Sequence, residues 1–290
     1  MRDDFAAHTV APRPIAARLK GPGVTIVPPI VTITSDFGLT DWFVGVVHGA
    51  IHEQCAEARI VDLTHAISAG AIDAASFVLE AAAPDFPAGT VHLAVVDPGV
   101  GTERLALGVA ARGQFFVGPD NGLLEWALSD PLAKVHALTE GRYFRHPVSR
   151  TFHGRDVFAP VAGHLAAGAP IESFGPPVAT PVRRPHPEPR LIDGRLLGRV
   201  VYIDRFGNGL TDLSLEWLGL AFDGADTREL SVDVIDRSIM GIRASYGDAK
   251  IGTLVAIMGS SGRLEIAEVG GSAAHRFGIG VGDAVSVRRR

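Results

Sequence analysis

The sequence has very little cysteine: Cys55 is the only one among 290 residues. An intrachain disulfide is therefore impossible, and a cysteine-rich metal site is excluded. The sequence also lacks a long run of one charge sign and any stretch of about 20 apolar residues, the length that spans a membrane. With a formal net charge of −5 it lacks the basic surface that nucleic acid requires. We therefore expect neither nucleic acid nor membrane as a partner, and a reducing, cytoplasmic location.

The composition is that of a globular protein with room for two domains. Apolar residues make up 47% of the chain and charged residues 20%, which is the balance of a globular protein. The first 30 residues mix charges with short apolar pieces and lack the apolar core of a secretory signal. We predict that residues 1–23 form a flexible extension, because Pro12, Pro14 and Pro22 discourage a long helix.

The segment from residue 24 to 180 alternates between two kinds of pattern. Short runs rich in Val, Ile and Ala predict buried strands, and apolar residues at helical spacing predict helices between them. Strands that alternate with helices predict a layered α/β domain with a mostly parallel sheet. The predicted strands are 24–34, 60–63, 91–96, 106–110 and 114–118, and the predicted helices are 41–55, 73–83, 123–128 and 156–167.

The pattern changes after residue 168. Seven prolines lie between residues 170 and 189, and we interpret residues 181–195 as the connection between two domains. Residues 196–290 contain short strand patterns separated by turn residues and little helical periodicity, which predicts a small β-barrel domain. Its predicted strands are 198–203, 229–234, 254–257, 264–268 and 284–287.

Polar residues cluster where the predicted strands end, the place where open α/β sheets bind ligands. The most informative cluster starts at Asp97, after the apolar run 91–96, and continues through a Pro/Gly turn to Arg104. An Arg seven residues after the Asp can fold back onto it. The pair then either closes a turn by a salt bridge or positions a small polar reactant such as water. Similar clusters are Ser35-Asp36 with Asp41, Asp120-Asn121, residues 152–156 and residues 204–208.

Together these segments resemble the S-adenosylmethionine hydroxide adenosyltransferases, hydrolases related to the bacterial fluorinase and chlorinase. The resemblance extends over about residues 31–287. It implies an N-terminal α/β domain, a C-terminal β-barrel, and a homotrimer whose substrate lies between the first domain of one subunit and the second domain of its neighbour. The matching stretches are TSDFG (34–38), VVDPGVGT (95–102), PDNGL (119–123), TFHGRD (151–156), FGN (206–208) and LEIA (264–267).

The resemblance implies that Asp97, Arg104 and His153 hold the attacking water. Methionine leaves a sulfonium as a neutral thioether, so the reaction lacks a good nucleophile rather than an acid. The charge of Arg104 favours developing hydroxide, and Asp97 or His153 orients the water or takes its proton; which of the two is the base stays open.

The resemblance also implies contacts with the substrate. A carboxylate offers two acceptor oxygens, which suits the two ribose hydroxyls. The implied contacts are Asp36 for ribose, Asn208, Phe206 and Tyr246 for adenine together with backbone groups from Glu268 to Gly270, Asp204 and Asp41 for the methionine end, and Ser260 and Ser261 for its carboxylate.

Some positions depart from the halogenating relatives. The fluorinase has Ser at Gly154, Tyr at Asp97 and Thr at Val100, and it has Arg at Ser261 and Glu268. The chlorinase also has Gly at the position of Gly154, so Gly154 alone does not exclude chlorination. Asp97 is the stronger objection, since a carboxylate about 4 Å from a halide costs on the order of 1–4 kcal/mol.

We expect hydrolysis of S-adenosyl-L-methionine to adenosine and L-methionine by attack of water at C5′. The alternatives are a halogenase that uses the same substrate, a non-catalytic protein that binds S-adenosylmethionine or adenosine, and an interaction protein that only shares the fold. Histidines such as His65, His92 and His164 show no metal-ligand spacing. We therefore expect no metal and no cofactor besides the substrate.

Overall fold

The computed structural model describes residues 27–186 and 188–290, so the predicted extension 1–23 lies outside the described residues. The first domain is built on a six-stranded sheet in the order β2-β1-β3-β5-β4-β6. The first four of these strands are parallel, and β4 is antiparallel to both neighbours, which confirms the predicted mostly parallel sheet. The strands are β1 Ile30–Ser35, β2 Arg59–Thr64, β3 Val91–Val95, β4 Ala106–Ala111, β5 Gln114–Pro119 and β6 Lys134–Ala137.

Helices cover both faces of this sheet. Successive residues of a strand point to opposite sides, so a strand made only of apolar residues has two apolar faces to bury. Leu93 packs into the apolar core that contains Val47 and Val161, whereas Ala94 packs into the other core with Leu79 and Ala127. The sheet is thus buried on both faces, as expected for parallel strands. The helices are α1 Phe43–Gln54, α2 Ile72–Ala82, α3 Glu125–Leu128 and α4 Ala159–Ala166.

The predicted helix 156–167 needs a correction at its start. Gly154–Phe158 forms one π-helical turn, and the α-helix begins only at Ala159. Pro160 lies in the first turn of α4, directly after the π-helical turn. The π-helical turn directly follows His153, and such turns are common beside functional sites.

The second domain is a nearly closed, barrel-like sheet in the order β11-β10-β15-β8-β9-β14-β13-β12, with β7 paired to β8. All its pairings are antiparallel except that of β12 with β13. The predicted α/β domain followed by a barrel is confirmed. Its elements are β7 Arg190–Ile192, β8 Arg195–Ile203, β9 Gly209–Ser214, α5 Leu215–Ala221, β10 Leu230–Val234, β11 Arg237–Met240, β12 Ile242–Arg243, β13 Leu254–Met258, β14 Arg263–Glu268, α6 Ala273–Phe277 and β15 Ala284–Arg289.

The predicted connection 181–195 is more ordered than its prolines suggest. Arg183 forms an ion pair with the buried Glu125 of the first domain, and β7 already belongs to the second sheet. The two domains also touch directly, since the rings of Phe77 and Tyr202 stack with centroids 5.2 Å apart. The exact domain boundaries stay a prediction. Among the described residues, no helix combines the length and the apolar character of a transmembrane span.

Candidate active site

A pocket of about 380 Å³ opens where β1 and β3 end, at the carboxyl edge of the parallel strands. This edge is where ligands bind in open α/β sheets. All residues that line it belong to the first domain: Asp36, Phe37, Ala69, Gly70, Val95, Asp97, Pro98, Val100, Thr151, Phe152, His153 and Gly154.

Arg104 folds back onto Asp97, which the seven-residue spacing allows. Its Nε donates to Oδ1 of Asp97 at 3.0 Å and to Oδ2 at 3.1 Å, and its Nη2 also donates to Oδ2. Both side chains are largely buried, with 11% of Arg104 and 6% of Asp97 exposed. A bidentate guanidinium fixes the plane of the carboxylate, so Asp97 lines the pocket in one orientation.

The same guanidinium also holds His153. Nη2 of Arg104 lies 2.9 Å from Nδ1 of His153. Since arginine only donates, Nδ1 must accept, and the ring proton then sits on Nε2. Burial, followed by the positive charge of Arg104, lowers the pKa of His153 below 6.5, against the opposing charges of Asp97 and Asp156. His153 is therefore a neutral donor at neutral pH.

Two contacts position the loop that carries Asp97. Asn121 donates from Nδ2 to the carbonyl of Val96 at 2.9 Å and so fixes the end of β3. Gly101 has φ +77°, and a Cβ atom there would lie 2.2 Å from the carbonyl oxygen of Arg150. Only glycine allows this close approach. The loop that carries Asp97 and Arg104 is thereby packed against residue 150, three positions before His153.

Asp36 also lines the pocket. Its Oδ2 accepts a hydrogen bond from the backbone N–H of Gly70 at 2.9 Å. Oδ1 has no hydrogen bond among the described residues, and each carboxylate oxygen has two lone pairs. The carboxylate can therefore accept bonds from two neighbouring hydroxyl groups.

Aromatic rings form an apolar wall that the sequence-based site assignment missed. Phe37 and Phe152 line the pocket with ring centroids 5.7 Å apart, and Phe43 packs against both. A Cβ atom on Gly154 would lie 3.0 Å from Cζ of Phe37. Phe37 and Phe152 fall inside the matched stretches 34–38 and 151–156, so the signal was present.

The candidate residues of the second domain form a different set. Oδ1 of Asp204 accepts from the backbone N–H groups of Phe206 and Asn208, both at 2.8 Å, and Oδ2 accepts from Nδ2 of Asn208 at 2.9 Å. Asn208 is buried, and its side-chain oxygen Oδ1 accepts no hydrogen bond among the described residues. This network fixes the loop that follows β8.

Tyr246 donates a hydrogen bond to Oε2 of Glu265 at 3.0 Å. Burial, together with Glu265, raises the pKa of Tyr246 to about 12. Burial also raises the pKa of Glu265, with a contribution from the charge of Asp204. Sequence reasoning missed Glu265, although it lies in the matched stretch 264–267.

None of the second-domain candidates lines the pocket, and neither does Asp41. Phe206 is 74% exposed and Tyr246 is 43% exposed. Glu268 is buried and forms an ion pair with Arg276. Asp41, Ser260 and Ser261 are exposed, and the two serines lie in the turn between β13 and β14. Gly270 has φ +69°.

Comparisons with protein families and with individual proteins all point to one family. Residues 31–175 match the family model of the SAM hydroxide adenosyltransferase N-terminal domain, and residues 198–286 match that of the C-terminal domain. Two similar proteins are named (R)-S-adenosyl-L-methionine hydrolase. The one from Salinispora tropica is 39% identical over 265 residues, 89% of this chain and 97% of the relative. The one from Thermus thermophilus is 42% identical over 261 residues, 86% and 95% respectively.

A protein of Nocardia brasiliensis named fluorinase is more distant, with 28% identity over 292 residues, 90% of this chain and 97% of the relative. Among solved structures, the crystal structure of an uncharacterized conserved protein from Thermotoga maritima superposes with a TM-score of 0.83 at 34% identity. It covers 90% of this chain and 100% of that one.

Proposed function

The chain belongs to the SAM hydroxide adenosyltransferase family, and we propose that it hydrolyses S-adenosyl-L-methionine to adenosine and L-methionine. It is similar over most of its length to proteins named hydrolases and less similar to fluorinase. The observation that carries the proposal is the hydrogen-bonded set of Asp97, Arg104 and His153, two of which line one pocket.

The roles of the three side chains follow from their hydrogen bonds. Oδ2 of Asp97 accepts two bonds from Arg104, whereas Oδ1 accepts one and keeps a lone pair for a proton of water. His153, protonated on Nε2, can donate to the oxygen of that water. We therefore assign proton acceptance to Asp97 and orientation of the water to His153, with Arg104 holding both.

In the proposed step, the water oxygen forms a bond to C5′ as the bond from C5′ to sulfur breaks. The bonding electron pair goes to sulfur, so methionine leaves as a neutral thioether. The water proton moves to Asp97 and then to solvent. The positive charge on sulfur and the negative charge on Asp97 are neutralised together in this step, which the apolar wall of Phe37 and Phe152 favours by limiting water.

Asp36 is proposed to bind the ribose hydroxyls, because its carboxylate lines the pocket and keeps acceptor capacity beside Gly70. Adenine and methionine would be bound by the second-domain set Asp204, Phe206, Asn208, Tyr246, Ser260, Ser261, Glu268 and Gly270, with Asp41 from the first domain. These residues lie outside the pocket of their own chain.

We therefore propose a homotrimer in which the second domain of one subunit completes the pocket of another. Apolar side chains exposed near both sets support this: Leu39 and Trp42 are 77% and 69% exposed beside Asp36, and Phe206 is 74% exposed beside Asp204. A subunit contact at these positions would bury the three side chains. The lone cysteine suits a reducing compartment, so we propose the cytoplasm as the location.

The names of the relatives specify the R configuration, and we propose the same preference for this chain. The sulfonium sulfur is a stereocentre, so the two epimers differ in where the methyl group and the methionine chain point. In-line attack places sulfur on the side of C5′ opposite the water. The two epimers then direct the methyl group and the methionine chain to different parts of the site, and we expect the site to bind only one of these arrangements well.

The test uses each epimer separately, in buffer without fluoride or chloride and in isotopically labelled water. Chromatography and mass spectrometry should show adenosine whose 5′ oxygen comes from solvent, formed faster from the R epimer. A 5′-halo-adenosine formed only when halide is added would establish a halogenase instead. Adenosine binding without turnover of either epimer would establish a non-catalytic binding protein.

A further inference from the structure

Three side chains outside the pocket converge at the edge of the first sheet. Asp62 lies on the edge strand β2, His65 follows its end, and His48 comes from α1. Oδ1 of Asp62 lies 2.9 Å from Nε2 of His48 and 3.1 Å from Nε2 of His65. One ligand atom from each residue fits within a span of 4.8 Å. None of the three lines the pocket.

His65 supplies a second, independent observation. Its side chain is only 3% exposed, and among the described residues its Nε2 has no hydrogen-bond partner. Asp62 is close enough to Nε2 but lies off the direction that a hydrogen bond requires. A buried ring nitrogen without a partner is costly, so the group points to a ligand absent from the polypeptide.

The other nitrogen of His65 is already committed. Nδ1 lies 2.7 Å from Oγ of Ser35, which also accepts from the backbone N–H of Phe37 at 3.3 Å. Metal-binding histidines usually donate their second ring N–H to such a partner, which fixes the ring and leaves the other nitrogen as ligand. Ser35 can accept a hydrogen bond from Nδ1–H, and this tautomer of His65 has a lone pair on Nε2.

The ligand types and spacing suit zinc. Two imidazoles and one carboxylate form a common three-residue zinc site, with bonds of about 2.0–2.2 Å. Such bonds place tetrahedral ligand atoms about 3.3 Å apart, close to the observed 2.9 and 3.1 Å. A plain ion pair explains the contact of Asp62 with His48, whereas its contact with Nε2 of His65 at 3.1 Å lacks hydrogen-bond geometry. His48 and Asp62 are 31% and 37% exposed, which leaves access for the metal and a water.

We propose that His48, Asp62 and His65 bind one Zn²⁺ ion, with water in the fourth position. The proposal departs from the sequence-based expectation that the scattered histidines form no metal site. The ion would also stabilise the pocket, because His65 contacts Ser35 through Nδ1 and accepts from the backbone N–H of Gly38 through its carbonyl at 2.8 Å. Both contacts flank Asp36.

Calorimetric titration of the full chain with Zn²⁺, after treatment with a chelator, tests the proposal. We expect one ion per chain, and visible absorption of Co²⁺ typical of four-coordinate rather than aqueous ions. His48→Ala and Asp62→Asn change partly exposed groups and should weaken binding by about 100-fold or more, and Ser35→Ala by about 10–100-fold. His52→Ala, one turn further along α1 and exposed, is the matched control and should bind as the unmodified chain does.

The proposal is overturned if the unmodified chain shows no saturable binding at one Zn²⁺ per chain. It is also overturned if His48→Ala and Asp62→Asn bind Zn²⁺ as tightly as His52→Ala. Circular dichroism of each variant establishes that the fold is kept. Since no readout depends on S-adenosylmethionine, the result is independent of the proposed hydrolysis.

Discussion

The two sets of candidate residues differ in how completely one chain builds them. In the first domain, Asp97, Arg104 and His153 are joined by direct hydrogen bonds at a pocket wall. In the second domain, Asp204 and Asn208 are fixed, but the rings of Phe206 and Tyr246 are largely exposed. Each chain thus contains the whole set proposed to hold the water, whereas in the proposed trimer the adenine contacts would face the pocket of another subunit. Preorganisation matters most where charge develops in the transition state.

The largest expected effect is the loss of catalysis in Asp97→Asn. The amide keeps the size of the carboxylate but cannot take the water proton. A positioned proton acceptor contributes about 10²–10⁴-fold to rate, so kcat should fall by that factor while the Kd for adenosine stays within about threefold. Asp85→Asn, an exposed position outside the pocket, is the control. Equal losses of affinity and rate would mean that Asp97 serves binding instead.

Mixed trimers test whether the two sets come from different chains. Asp97→Asn and Asn208→Ala each inactivate one set, and each homotrimer should be nearly inactive. In a ring with head-to-tail contacts, each site combines the first domain of one chain with the second domain of its neighbour. When the two variants are co-expressed in equal amounts, each of these halves is intact in about half of the sites, so about a quarter of the sites should be fully intact. Activity that stays at the level of the single variants would place both sets of a site within one chain.

Asp36→Ala should separate binding from chemistry. Hydrogen bonds to a charged group contribute about 1.5–3 kcal/mol, so losing the ribose acceptor should raise the Kd for adenosine by about 10–100-fold. The saturated rate should change much less, because Asp97, Arg104 and His153 keep their mutual bonds. Calorimetry and saturation kinetics measure the two quantities. A selective fall in kcat would assign Asp36 to the chemical step.

Sequence reasoning identified Asp97 and Arg104 as a candidate pair because both lie in one short segment after a predicted strand. The spacing from Asp97 to Arg104 allows their contact, and strand alternation predicts which loops share an edge. His153 lies 49 residues beyond Arg104, and only the resemblance joined it to the pair. The geometry between them depends on Gly101 against the carbonyl of Arg150, a close approach that no periodicity encodes.

The second domain and the zinc cluster were harder to predict. Strand β9 was missed because Thr211 and Asp212 are polar yet buried, so the strand has no apolar run; its stability comes from bonds such as Thr211 Oγ1 to the carbonyl of Leu264 at 2.8 Å. His48 and His65 lie on elements that only the fold brings together. Sequence spacing carries no record of such contacts.

The pH dependence of rate should reflect His153. Its folded pKa lies below 6.5 because of burial and Arg104, and the neutral ring is the form that accepts from Arg104. Activity should therefore be full at pH 7 and fall as the pH drops through that folded pKa, about tenfold for each unit below it. His153→Asn should abolish this limb. A rate that instead falls as pH rises past 6.5 would show that protonated His153 is the active form.

The smallest effect is expected for Tyr246→Phe, which removes a hydroxyl but keeps the ring. The hydroxyl contacts Glu265 rather than the pocket, so the Kd for adenosine should change by less than about threefold. Tyr246→Ala also removes the ring, and stacking on a base is worth about 1–3 kcal/mol. Calorimetric titration with adenosine distinguishes the two variants. If Tyr246→Phe binds adenosine as weakly as Tyr246→Ala does, Tyr246 acts through its hydrogen bond to Glu265, and the exposed ring is not the adenine contact.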